Sequence, residues 1–307
     1  MRIVFLGTSN YSCKMLRTII SAGYYVPLVV TLPDRPVGRG NRTEPTPVKK
    51  FADREGIPCI AVGNMKDPIL ARRVSEADAD LGVVVSFRIL PKEVYNAPKM
   101  GTVNVHPSLL PELRGPAPTR WAIIRGYQKT GVTTFRITDR IDSGDIFLKE
   151  SLDIDRNETH GELFERIEVL SARLLIKTIE GLSDGSLEPV IQDHTNATSA
   201  PKITGEIRRI DWGKSALEVH NLVRGLSPSP GAWTLLDSKN IRILRTRLIE
   251  GSGQPGEIIE CDPRNGLAVA CGENALRVMK LQPSGKRAMD ACSFLCGRSL
   301  ETGVILR

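Results

Sequence analysis

The sequence predicts an α/β fold with a mostly parallel sheet in its first part, followed by a small β-barrel domain. Three observations carry that reading. Short apolar runs of the buried-strand type alternate with segments of helical spacing through roughly the first 185 residues. Beyond them, short strand-like runs are divided by Gly, Pro and Asp turns, the pattern of a small barrel. Finally, 307 residues exceed one ordinary small domain and accommodate two. The expected boundaries are a first domain over 1–185, a linker over 186–207 and a second domain over 208–307.

Taken in order, the apolar runs at 2–6, 26–31, 81–87 and 101–105 read as parallel strands. Residues 11–20, 47–54 and 68–77 carry helical spacing between them. Thr46 is an N-cap candidate for the second of these helices, and Pro47 suits its first position. Residues 132–137 and 146–154 read as adjacent strands. A long helix follows over 162–182, ended by Ser183-Asp184-Gly185. The polar, Pro-containing stretch that comes next reads as a linker lying on the surface. The second domain is expected to hold one short helix at 215–226 and strands at 232–236, 241–248, 256–261, 267–270 and 275–281.

Composition narrows the class. With 41% hydrophobic and 25% charged residues the chain has an ordinary soluble balance, and no apolar run approaches the roughly 20 residues of a membrane span. The opening MRIVFLGTSN reads as a first strand running into a Gly turn, not as a signal peptide. Six scattered cysteines without CxxC spacing suit free thiols in a reducing cytoplasm, and four histidines with no Cys/His cluster argue against zinc. The net charge of +7 admits a polyanionic partner. Its placement points toward RNA backbone: residues 202–247 hold nine Lys or Arg (202, 208, 209, 214, 224, 239, 242, 245, 247) against four acids (206, 211, 218, 237).

The most informative feature is Asn104 and His106, two apart and therefore on one face if the run is a strand, followed at a distance by Asp142. An amide, an imidazole and a carboxylate together can stabilise an oxyanion and move a proton during acyl transfer. Alone, an Asn-x-His pair is weak, and an Asn at a strand end often caps a turn. The surrounding text is specific: NVHPSLLPELRGPAP over 104–118 and DRIDSGD over 139–145. No GxSxG elbow supplies a nucleophile, so direct transfer without a covalent enzyme intermediate is the better reading. Gly7-Thr8-Ser9-Asn10 is not GxGxxG, so it reads as a structural turn and not a dinucleotide site.

Three further motifs join these. They are PDRPVGRG over 33–40, VVVSFRILP over 83–91, and a C-terminal series of RIDW (209–212), PSPGAW (228–233) and LQPSGKRAM (281–289). Together, over residues 1–305, the chain resembles the folate-dependent formyltransferases, most of all the branch that acts on methionyl-tRNA. The resemblance implies a Rossmann-like formyltransferase domain followed by an OB-like, tRNA-binding one. It further implies transfer of the formyl group of 10-formyltetrahydrofolate to the α-amine of methionyl-initiator tRNA, through a tetrahedral intermediate, with no metal. Asn104 and His106 would stabilise the oxyanion, and Asp142 would orient His106 and relay a proton, directly or through water. The folate would lie against Phe87, Arg88, Ile89, Leu90, Ser108, Leu109, Leu110, Pro111, Asp139, Ile141 and Ser143. Arg39, Arg42, Lys202, Arg208, Arg209 and Lys286 would hold the tRNA. A cytoplasmic monomer without a membrane partner is expected.

The chain departs from the family pattern in three places. Asn41-Arg42-Thr43-Glu44 stands where lysines are common, which implies fewer phosphate contacts. Arg88 replaces a usual Gly and is similar to the glycinamide ribonucleotide formyltransferases. Ser227-Pro228-Ser229-Pro230-Gly231 lacks the family's Trp, and Trp212 and Trp233 read as packing residues. Rival readings are a sugar-nucleotide N-formyltransferase, a formyltetrahydrofolate hydrolase, and a non-catalytic folate- or tRNA-binding protein. The 33–40 loop and C-terminal series argue against the first, and the Asn104, His106 and Asp142 set argues against the last.

Overall fold

A computed structural model describes residues 1–37, 42–296 and 300–307. The chain divides into two compact units: the first comprises 1–115, 131–152 and 166–199, the second 116–130, 153–165 and 200–307.

The first unit is built on a seven-stranded sheet. Its elements are β1 (Arg2–Gly7), α1 (Asn10–Ser21), β2 (Tyr25–Thr31), the short hairpin β3 (Arg35–Val37) and β4 (Arg42–Glu44), α2 (Pro47–Arg54), β5 (Cys59–Ala61), α3 (Pro68–Glu76), β6 (Leu81–Val85), α4 (Lys92–Tyr95) and β7 (Thr102–His106). After α5 (Pro118–Ile124), which belongs to the second unit, come β8 (Lys129–Arg136), β9 (Ile146–Asp153) and the 24-residue α6 (His160–Ser183). The strand order is β5-β2-β1-β6-β7-β8-β9, parallel from β5 to β7 and antiparallel between β7 and β8. This is the mostly parallel α/β sheet that the alternation predicts.

Local chemistry explains several boundaries. Ser9 caps α1 in a reciprocal box with Ser12, and Ser12 Oγ also donates to Val85 O at 2.6 Å, tying α1 to the end of β6. A Cβ on Gly7 would lie 2.6 Å from that of Ser12, so glycine is required for this approach. Thr46 caps α2, with Pro47 at its first position, as the sequence suggests. The β6 run 81–85 is fully buried, each large apolar side chain contributing about 1.5–3 kcal/mol. It stops at Val85 and not at 87, because Ser86 takes a left-handed φ of 48° that breaks the ladder. The 33–46 stretch, read as a loop, contains the β3–β4 hairpin. Sequence reading also missed β5, α4 and α5, which are only three, four and seven residues long.

The second unit packs α7 (Ala216–Leu226) against a six-stranded, all-antiparallel, barrel-like sheet. Its strands are β10 (Ala232–Leu236), β11 (Lys239–Ile249), β12 (Ile258–Asp262), β13 (Gly266–Ala270), β14 (Ala275–Pro283) and β15 (Met289–Asp290), followed by α8 (Ala291–Cys296). The order is β10-β11-β14-β13-β12, with β15 on β14. Val219, Val223 and Leu226 of α7 join Ile243, Val269, Leu276, Val278 and Leu281 in one core. Trp212 is buried in it and donates its ring N–H to Thr234 Oγ1 at 3.0 Å, so it is a packing residue as expected. Of the stretch expected to lie on the surface, most residues are exposed, but Gln192 and Ala200 are buried at 4% and 0% exposure.

Candidate active site

The ladder puts Asn104 and His106 on one face of β7, opposite Phe135 and Thr133 of β8 respectively. Asn104 is half-buried, and among the described residues its carboxamide makes no hydrogen bond. His106 is 5% exposed and packs edge-on against Phe135. Its Nε2 lies 2.9 Å from Leu113 O. A carbonyl oxygen only accepts, so Nε2 carries the proton, and in the neutral ring Nδ1 presents a lone pair.

Asp142 faces that lone pair. Its Oδ2 is 3.7 Å from Nδ1, too far for a direct hydrogen bond, and accepts the Gly115 N–H at 2.7 Å. The ring is therefore oriented by Leu113 O, while the carboxylate supplies a charge beside the open nitrogen. Asp142 stands at φ 49°, a left-handed conformation that Asp tolerates when its surroundings fix it. Gly144, two residues on, has no room for a side chain, since a Cβ would lie 1.8 Å from Arg136 O.

The remaining folate candidates divide by exposure. Ile89 and Ile141 are exposed at 69% and 58%, apolar side chains on the loops after β6 and β8. Arg88 is exposed and donates through Nη1 to Gly63 O at 2.8 Å. Phe87 is half-buried against the core that holds Leu90. Ser108 and Leu110 point inward. Ser108 Oγ donates to Glu112 O at 2.7 Å, and the Leu110 N–H donates to Thr133 Oγ1 at 3.0 Å, so both shape the loop after β7. Leu109 and Pro111 are half-buried and Asp139 is exposed. The Ser143 hydroxyl donates to Arg140 O at 3.0 Å.

Of the tRNA candidates, Arg39 lies outside the described residues, and Arg42 is described only as part of β4. Lys202, Arg209 and Lys286 are exposed. Arg208 is half-buried, its guanidinium donating to Gly231 O and Pro230 O at 3.2 Å each. Arg209 stacks over Trp233 at 5.8 Å. Arg208, Trp233, Arg242, Gln282 and Lys286 line a cleft of about 430 Å³. Among the described residues, no group of three His, Cys, Asp or Glu could hold a metal ion, and no helix is long and apolar enough to cross a membrane.

Sequence reasoning missed the backbone partners, Leu113 O and Gly115 N–H, and the buried Gln192. No local pattern in the sequence signals them.

Comparison with known proteins shows what the chain is similar to. The profile described as "Formyl transferase" matches residues 1–179, and "Formyl transferase, C-terminal domain" matches residues 202–299. A methionyl-tRNA formyltransferase of Citrifermentans bemidjiense is 43% identical over 307 residues, spanning 100% of this chain and 96% of that protein. The chain belongs to the methionyl-tRNA formyltransferase family. A second relative of that name, from Bacillus velezensis, is 40% identical and covers 99% of this chain and 97% of its own. In solved structures the fold recurs at lower identity. HypX from Aquifex aeolicus in complex with tetrahydrofolic acid aligns at TM-score 0.67 and 18% identity, covering 98% of this chain and 50% of that longer one. An N-formyltransferase from Helicobacter canadensis aligns at 0.68 and 18%, covering 90% of this chain and 98% of that one.

Proposed function

We propose that this protein transfers the formyl group of 10-formyltetrahydrofolate to the α-amine of methionyl-initiator tRNA. The observation that carries the reading is the set of Asn104, His106 and Asp142, standing in a chain 43% identical along its whole length to a methionyl-tRNA formyltransferase. The formyl donor is a co-substrate and supplies the activated one-carbon unit. Exposed Ile89 and Ile141 suit the faces of a folate's ring system, and the unpaired Asn104 carboxamide suits a polar oxygen.

Asn104 donates to the formyl oxygen as negative charge builds on it. Nδ1 of His106 is the atom that handles the proton: it takes one from the attacking amine or, already protonated, donates to the oxyanion. The Asp142 carboxylate stands beside that nitrogen, 3.7 Å away. The bond from amine nitrogen to formyl carbon forms, the bond to the donor nitrogen breaks, and the amine's proton ends on that nitrogen. In this reading residues 1–185 carry the chemistry. Residues 208–307, with Lys202, hold the tRNA backbone through Arg208, Arg209 and Lys286, and Arg39 and Arg42 add contacts from the 33–46 loop. The protein works as a cytoplasmic monomer without a membrane partner and without a metal.

An acceptor panel tests the proposal. Purified protein with 10-formyltetrahydrofolate is given methionyl-initiator tRNA, an amino-sugar nucleotide, or no acceptor. Formylated methionyl-tRNA is the expected product. Formylated sugar, or folate consumed with water alone, would overturn the acceptor assignment.

A further inference from the structure

The segment 192–199 is far in sequence from both His106 and Asp142, yet it clamps the loops that carry their partners. Thr198 accepts the Leu113 N–H on Oγ1 at 2.9 Å and the Arg114 N–H on its carbonyl at 2.8 Å. These contacts fix the turn whose Leu113 O orients His106 and whose Gly115 N–H binds Asp142.

Gln192 does the same for the other side. Its carboxamide Nε2 donates to Asp142 O at 3.1 Å and to Gly144 O at 2.5 Å, so both amide hydrogens have partners. Its Oε1 accepts from Arg114 Nη2 at 2.6 Å, and that same nitrogen also donates to His194 Nδ1 at 2.8 Å. Two carbonyls on one side and a guanidinium on the other leave the amide only one orientation. Gln192 is 4% exposed, so these bonds form away from water. They act on Asp142, which holds a left-handed φ of 49°. Such a conformation persists only where surrounding contacts over-determine it. Here those contacts are Gln192 on the Asp142 carbonyl and Gly115 on its carboxylate.

We infer that Gln192 is a positioning residue for formyl transfer, holding Asp142 so that its carboxylate faces Nδ1 of His106. This rests on the function proposed above. Gln192 touches neither reactant and acts through Asp142. Neither isosteric replacement can do the same: Met offers no donors, and Glu sets a carboxylate against two carbonyl oxygens.

The test is a double-mutant cycle with Gln192→Met and Asp142→Ala, read as kcat and KM for methionyl-tRNA and for the formyl donor, with thermal midpoints of every variant. Gln192→Met is expected to lower kcat about 10- to 100-fold, the scale of a misplacement near 1 Å, with each KM within about threefold. In the Asp142→Ala background the same change is expected to cost less than about twofold, because the carboxylate it positions is gone. A full, additive loss in that background would overturn the inference and make Gln192 a general structural residue, as would wild-type kcat in Gln192→Met. If Gln192→Met does not fold, Gln192→Asn, one methylene too short to span both sides, enters the same cycle with the same criteria. Absence of tRNA formylation by the wild-type protein would instead remove the functional reading itself.

Discussion

His106 donates from Nε2 to the carbonyl oxygen of Leu113 at 2.9 Å, and that one bond decides which ring nitrogen is free. Because the carbonyl fixes the proton on Nε2, the ring nitrogen left open is Nδ1, with Asp142 Oδ2 3.7 Å away. Gln at this position places an amide N–H near the site of Nε2 and nothing that titrates near Nδ1. His106→Gln is therefore expected to keep the thermal midpoint close to wild type and to lose about 10² to 10³ in kcat. Activity within tenfold of wild type would show that Nδ1 is not the atom that handles the proton.

A second prediction concerns the loop that carries Asp142. At Gly144 an added Cβ would lie 1.8 Å from Arg136 O, a backbone atom with no flexible end to yield. Gly144→Ala is expected to displace the loop, cost about 1–3 kcal/mol of stability and lower kcat more than KM. Chemical denaturation and steady-state kinetics on the same preparation check both parts.

Much of this arrangement was legible in the sequence and some was not, for physical reasons. The strand read at 81–87 is there over 81–85, because continuous Val and Leu have few alternatives, and Asn104 and His106 share a face because strands have a period of two. The role of Leu113 O was not legible, since any residue supplies a carbonyl. Nor was the link from Gln192 to Asp142, which spans 50 residues and ends on backbone atoms in a stretch that reads as surface linker. The left-handed positions at Ser86 and Asp142 likewise carry no glycine to announce them.

His160, the half-buried first residue of α6, gives a pH prediction. Burial, with Arg120 nearby as a lesser cause, pushes its imidazole down to about 3, from an ordinary value near 6.5. The folded state therefore keeps it neutral where the unfolded chain binds a proton. That contribution is fully present above about pH 6.5 and is lost as the pH falls toward 3. Between pH 7 and 4, wild type is expected to lose about 1–3 kcal/mol more stability than His160→Gln. Parallel urea titrations across that range read the difference.

The basic residues of the second unit separate by what they already hold. Lys202 and Lys286 are exposed, whereas Arg208 is committed to two backbone carbonyls. Lys202→Glu with Lys286→Glu is expected to raise KM for methionyl-tRNA several-fold, to flatten its salt dependence and to leave stability unchanged. Arg208→Ala is expected to lower the thermal midpoint as well. Equal effects of all three on stability, with none on KM, would remove this surface from the tRNA contact.

The most direct measurement is single-turnover formyl transfer to methionyl-initiator tRNA by wild type, Asn104→Ala and His106→Ala, with binding of the formyl donor measured separately. The account predicts transfer by wild type, a loss of about 10² or more in each variant, and donor affinity close to unchanged. Wild-type rates in both variants, in protein that transfers formyl to methionyl-tRNA, would contradict it.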